Sequence, residues 1–163
     1  MTDEYVKLRL EVLKSEHLPG DSRSIVQLLM DWGMAKEPQE CLWVIATDAN
    51  GNIRRVTEVA RGGHADLTLD AQPLLTAVLA VGAIQFTIVH NHPTMRPDPS
   101  ISDWNLTQMV MTAANTCGLV LEEHLIVTPT GDFFSFKDAG YIAPFKIGGA
   151  PLKTKAASTR RPR

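Results

Sequence analysis

The residues with the most chemical potential lie in one stretch: His90-Asn91-His92-Pro93, followed by Ser100 and Asp103. His90 closes an apolar run, Ala83–Val89, that reads as a buried strand. In extended backbone, residues i and i+2 point to the same side, so the imidazoles of His90 and His92 converge where the strand leaves the core. Pro93, Pro97 and Pro99 stiffen the loop that follows. Bending that loop back brings the Asp103 carboxylate, in the first turn of the next helix, to the two histidines. Two nitrogens and one oxygen suit Zn²⁺, and three protein ligands leave a fourth position for water, the mark of a catalytic rather than a structural site. Bound zinc lowers the pKa of such a water to roughly 7. Ser100 also stands where a helix cap is expected. A histidine pair at a strand end is, alone, more often a polar edge than a ligand set. The whole pattern of His-x-His-Pro, six residues, Ser, two residues and Asp arises by chance on the order of once in 10⁵ chains, which favours the site.

The elements that must position these residues follow from hydrophobic period. Asp3–His17 reads as a helix, and a second helix after Asp21 or Ser22 carries Ile25, Leu28, Leu29 and Trp32 on one stripe. Cys41–Ala46 is a compact apolar strand, joined through the Asn50-Gly51 turn to a second strand, Ile53–Ala60, as an antiparallel hairpin. Asp70 begins a helix that Gly82 stops, and Ala83–Val89 is the strand before the histidines. Ile101–Cys117 is a helix with Leu106, Met109, Val110, Ala113, Ala114 and Cys117 facing inward. Leu119–Val127 and Phe133–Phe136 complete the strands. Strands alternating with helices predict an α/β (α+β) fold with one central sheet flanked by helices.

Composition bounds the rest. The chain has 163 residues, 44% hydrophobic, which suits one domain and excludes disorder for most of it. No apolar stretch is long enough to span a bilayer, and MTDEYVKLRL lacks the apolar core of a secretory signal. Cys41 and Cys117 are too few for a disulfide framework and read as buried thiols of a reducing compartment, so a cytoplasmic location is expected. Charge is segregated: after Asp138 there are six basic residues and no acid, while the remainder holds ten basic and eighteen acidic residues, hence −8. The expected organisation is a helical segment over 1–39, a domain over 40–139, and a basic, disordered tail over 140–163. Such a tail could bind nucleic acid through its phosphates in a salt-sensitive way.

His90-x-His92-Pro93-x6-Ser100-x2-Asp103 resembles the JAMM motif of the MPN/JAB metallohydrolases. The text HNHPTMRPDPSISDWNLT, followed by Glu123-His124-Leu125-Ile126-Val127, is similar to the RadC branch of that superfamily, over about Asp21–Ala139. Thr94-Met95 stands where RadC-like chains read Ser-Gly, and Glu123 where they read Asp. The resemblance implies a three-layer, cytidine-deaminase-like sandwich around a mixed sheet. It implies one zinc ion held by His90, His92 and Asp103 with water as the fourth ligand. Ser100 would steady the oxyanion or the bound water, and a glutamate would relay protons. Glu40, just before the first strand, is the favoured residue for that role and Glu58 the alternative. The implied activity is hydrolysis of amide, peptide or isopeptide bonds in a peptide or protein substrate. The competing expectation is a scaffold that keeps the metal site, associated with DNA.

Other chemistries fit less well. A zinc deaminase needs Pro-Cys-x-x-Cys, and Cys41 and Cys117 are far apart. A β-lactamase-like metal site would continue His-x-His-x-Asp-His, but Pro93-Thr94 follow His92. His64 and Arg96 read as solvated loop residues, His124 as a hydrogen-bonded core histidine, and His17 as a helix end.

Overall fold

The computed structural model describes residues 16–62 and 70–143. Most of the expected first helix, His64, and the basic tail lie outside the described residues. Helix α1 spans Ser22–Asp31, and a 3₁₀ turn, Met34–Lys36, leads into the sheet. The strands are β1 (Cys41–Thr47), β2 (Ile53–Arg61), β3 (Gln85–Asn91), β4 (Val120–Val127) and β5 (Phe133–Ser135). Helices α2 (Ala71–Leu79) and α3 (Ile101–Thr116) flank β3 in sequence. The sheet order is β2-β1-β3-β4-β5, antiparallel except for the β3–β4 pair. The fold is α/β with a mixed five-stranded sheet.

Strand alternation divides the core into two layers. Leu42, Val44, Phe86, Ile88 and Ile126 face α2 and α3. Trp43, Ile45, Val89, Leu125 and Val127 face the other way, against Ile25, Val26 and Leu29 of α1. The lead-in before β1 thus shares a core with the sheet.

Three local readings change. His17 is bridged to Asn52, not helical, and its Nε2 lies 2.8 Å from the Asn50 carbonyl. Strand β3 starts later than expected and runs through the first histidine to Asn91, because its parallel pairing with β4 continues to Asn91↔Val127. On α3 the buried stripe is Asp103, Leu106, Thr107, Val110 and Ala114, whereas Met109 and Cys117 are exposed. Asp103 and Thr107 can face inward because each finds a hydrogen-bond partner there. Of the two thiols, then, only Cys41 is buried, and burial pushes its pKa up to about 11, which keeps it an unreactive thiol near neutral pH.

Candidate metal centre

His90 projects from the end of β3, and His92 from the first residue beyond it. Their rings meet edge to face with centroids 4.8 Å apart. The His92 backbone N–H donates to the Val127 carbonyl at 2.9 Å, so the chain stays registered on β4 past the strand end. The loop then folds back, and His92 Nδ1 lies 2.8 Å from the Arg96 carbonyl oxygen. A carbonyl can only accept, so Nδ1 carries a proton and Nε2 is the nitrogen that faces Glu40 and Asp103. The loop contains Met95 at φ 65°, the one non-glycine left-handed residue among the described residues, exposed at the position where RadC-like chains have glycine.

Asp103 comes from the other side, on the first turn of α3. The helix opens with a reciprocal capping box. The Ser100 backbone N–H and hydroxyl both donate to Asp103 Oδ2 at 2.7 Å, and the Asp103 N–H donates to Ser100 Oγ at 3.1 Å. The Ser100 hydroxyl proton is therefore directed at Asp103. From this seat Asp103 Oδ1 lies 3.0 Å from His90 Nδ1, and Oδ2 lies 3.6 Å from His92 Nε2. Glu40, immediately before β1, places Oε1 2.6 Å from His90 Nε2 and 3.7 Å from His92 Nε2.

Glu58 points elsewhere. It holds Arg61 through two bonds of 2.7 Å, and Arg61 also reaches Glu37 at 2.9 Å. The structure thus brings together Glu40, His90, His92, Ser100 and Asp103, and leaves Glu58 in a separate ion pair. The Arg96 carbonyl, not its side chain, serves the site. His124 is a core histidine: Thr107 Oγ1 donates to the Asp103 carbonyl and lies 2.7 Å from His124 Nδ1, and the His124 ring stacks on Phe136.

The electrostatics agree with a cation site. Burial disfavours charge on His90, but Asp103 and Glu40 outweigh it and push its pKa up to about 9. Burial likewise opposes ionisation of Asp103, yet His90 and His92 hold its carboxyl well below the usual range. Bonding to His90 holds Glu40 below its ordinary value. Two carboxylates therefore favour positive charge between them. The donors of Glu40, His90 and His92 lie within 4.8 Å of one another, as a metal requires. His90 Nδ1 is buried without a hydrogen-bond partner, although Asp103 is close. Two imidazoles, one with its second nitrogen tied to a carbonyl, beside carboxylates are the donor set that zinc prefers. The residues fit the ion.

Sequence reasoning missed two residues. Asn91, between the histidines, is wholly buried and bonds to the segment before β1. Glu123 is buried on the α1 face, where it accepts from Ser22, Ser135 and two backbone N–H groups. A polar trio, Glu122-Glu123-His124, inside an otherwise apolar strand was the available signal for Glu123.

A mixed sheet with a histidine pair at the end of β3 and a capped aspartate across from it defines a JAB-type α/β domain. The family model described as the RadC-like JAB domain matches residues 20–141. This chain belongs to the RadC family, which lies within the JAB/MPN superfamily. It is 34% identical over 105 residues to a UPF0758 protein of Porphyromonas gingivalis, covering 64% of this chain and 46% of the relative. It is 29% identical over 139 residues to a UPF0758 protein of Burkholderia ambifaria, covering 85% of this chain and 54% of the relative. The chain thus spans about half the length of the curated relatives it matches. No helix among the described residues is long and apolar enough to cross a membrane.

Proposed function

We propose that this domain is a zinc-dependent hydrolase of amide bonds, acting on a peptide or isopeptide substrate. His90, His92 and Asp103 would hold one zinc ion, and Glu40 would carry the proton. The observation that carries this reading is the clustering of donor atoms of Glu40, His90 and His92 within 4.8 Å of one another, with Asp103 Oδ1 3.0 Å from His90 Nδ1 and Oδ2 3.6 Å from His92 Nε2. Zinc, when bound, supplies a Lewis acid and lowers the pKa of a coordinated water.

This chain's own residues do the rest. Glu40 is ionised, since its carboxyl is held below its usual range, and it is 39% exposed, so water and substrate can reach it. It takes one proton from the attacking water and delivers it to the amide nitrogen as the C–N bond breaks. The hydroxyl goes to the carbonyl carbon, leaving a carboxylic acid and an amine. Asp103 and the Arg96 carbonyl hold the two imidazoles in orientation. Ser100 keeps Asp103 in place, and it could donate to a substrate oxygen only by turning its hydroxyl from Asp103.

Metal content and hydrolysis of amide substrates should be compared in wild type, His92→Ala and Glu40→Gln. The wild type is expected to purify with one zinc per chain. His92→Ala should lose zinc, and Glu40→Gln should hydrolyse at least about 100-fold more slowly. A wild type without stoichiometric zinc sinks the reading.

A further inference from the structure

We infer that Asn91 is a positioning residue: its side-chain amide fastens the backbone on both sides of Glu40 and so sets the Glu40 carboxylate against His90 and His92. The inference rests on the metal site proposed above, whose histidines Glu40 faces. The β1–β3 ladder ends at the pair Leu42↔His90. One residue further, the Asn91 carboxamide takes over from the main chain. Its Oδ1 accepts the Cys41 N–H at 2.7 Å, and its Nδ2 donates to the Gln39 carbonyl at 2.9 Å and the Glu37 carbonyl at 3.0 Å. Glu40 lies between Gln39 and Cys41, and its own carbonyl accepts the Gly62 N–H at 2.9 Å. The Glu40 backbone is therefore held at three successive points, and only its side-chain torsions remain free.

This clamp acts where no regular element would hold the chain. The 3₁₀ turn ends at Lys36 and β1 begins at Cys41, so Glu37–Glu40 has no ladder of its own. The position needs one acceptor and two donors in one plane. Asparagine supplies them; ionised aspartate has no donor, and leucine has neither. Strand alternation gives the arrangement a second property. Residues i and i+2 place His90 and His92 on one side, and i+1 turns Asn91 to the other. One three-residue segment thus carries two metal ligands and also sets the register of the group that must face them.

The test is a zinc-affinity cycle on the full chain, by chelator competition near neutral pH, in wild type, Asn91→Ala, Glu40→Gln and the double variant. Each single variant should bind zinc about tenfold more weakly. The double variant should be weaker than the single ones by less than about twofold, since one change already undoes the other's effect. Wild-type affinity in Asn91→Ala, or losses that multiply in the double variant, would overturn the inference. So would an unchanged Glu40→Gln beside a weakened Asn91→Ala, because Asn91 would then act by another route. Thermal melts check folding, and Asn91→Ser, whose hydroxyl can still accept from Cys41, replaces Asn91→Ala if the latter does not fold. Peptide hydrolysis at the wild-type rate in Glu40→Gln would remove the proton-carrying role proposed above and leave this zinc coupling intact, so the two failures are distinguishable.

Discussion

Two buried carboxylates on opposite faces of the same sheet behave in opposite ways. Asp103 is 3% exposed and Glu123 is 1% exposed, so burial disfavours ionisation of both. At Asp103 that penalty is overcome: His90 and His92, with help from Ser100, hold the carboxyl far below its usual range. At Glu123 burial wins and its pKa is pushed up, although Ser135, Ser22 and the Lys137 and His124 N–H groups all donate to it. The number of hydrogen bonds does not separate the two. The nature of the donors does. Neutral dipoles satisfy a buried carboxylate without stabilising its charge enough to offset burial. Imidazoles can carry the compensating charge, and they make a place that favours a cation. Asp103 therefore sits against the histidine pair, while Glu123 is a clamp tying α1 to β4 and β5.

That contrast can be broken most directly at Asp103. Asp103→Ala should weaken zinc binding by at least about 100-fold, measured by chelator competition. Near-wild-type affinity would show that Glu40 and the histidines suffice, and the contrast would lose its functional half.

Glu123→Ala should do the reverse. It takes the Glu123 carboxylate from the Ser22 and Ser135 hydroxyls and from the His124 and Lys137 N–H groups, at a cost of about 2–3 kcal/mol and a melting temperature lower by roughly 5–10 °C. Zinc affinity should stay within about twofold of wild type. A collapse of zinc affinity in a folded Glu123→Ala would mean that the two faces are coupled.

The pH dependence sharpens the electrostatic side of the comparison. Asp103 and Glu40 push the pKa of His90 up to about 9, and its proton must leave before the nitrogen can bind a cation. Zinc affinity should therefore rise by up to about tenfold per pH unit as pH climbs from neutrality to about 9, and this contribution should level off above it. Titrations at a series of pH values, corrected for zinc hydrolysis, read the slope. In Asp103→Ala the slope should shrink, since the pKa of His90 loses a principal support.

The smallest effect is expected at Ser100. Ser100→Ala removes an N-cap and should cost about 1 kcal/mol in denaturant unfolding. It also frees one oxygen of Asp103, so zinc affinity should fall modestly, by about tenfold. Equal zinc binding with the expected stability loss would reduce Ser100 to a cap alone.

Much of this was legible in the chain. The hairpin of β1 and β2, the strand leading to His90, and the helix from Ile101 were readable from local period and turn chemistry. The histidine pair was readable because a strand end places i and i+2 together without help from distant residues. The α3 stripe was misread at Met109 and Cys117, since a hydrophobic pattern cannot show that Asp103 and Thr107 would find partners inside. Composition alone did not separate Glu40, just before β1, from Glu58, within β2. Arg61 separates them, by engaging Glu58 within β2 while Glu40 remains beside the histidines. Asn91 received no role because its partners, Glu37, Gln39 and Cys41, lie 50 to 54 residues away in the chain.

By itself, then, the sequence determined the α/β pattern, the histidine pair at a strand end and the capped aspartate that follows it. These depend on short-range geometry: strand alternation, a proline-stiffened loop, and a cap three residues before an aspartate. Only the tertiary structure decided which glutamate faces the histidines and why Asn91 is buried. Those choices join residues dozens of positions apart, such as Cys41 and Asn91 or Ser22 and Glu123. They are settled by which buried polar groups can satisfy one another once the sheet has closed over them.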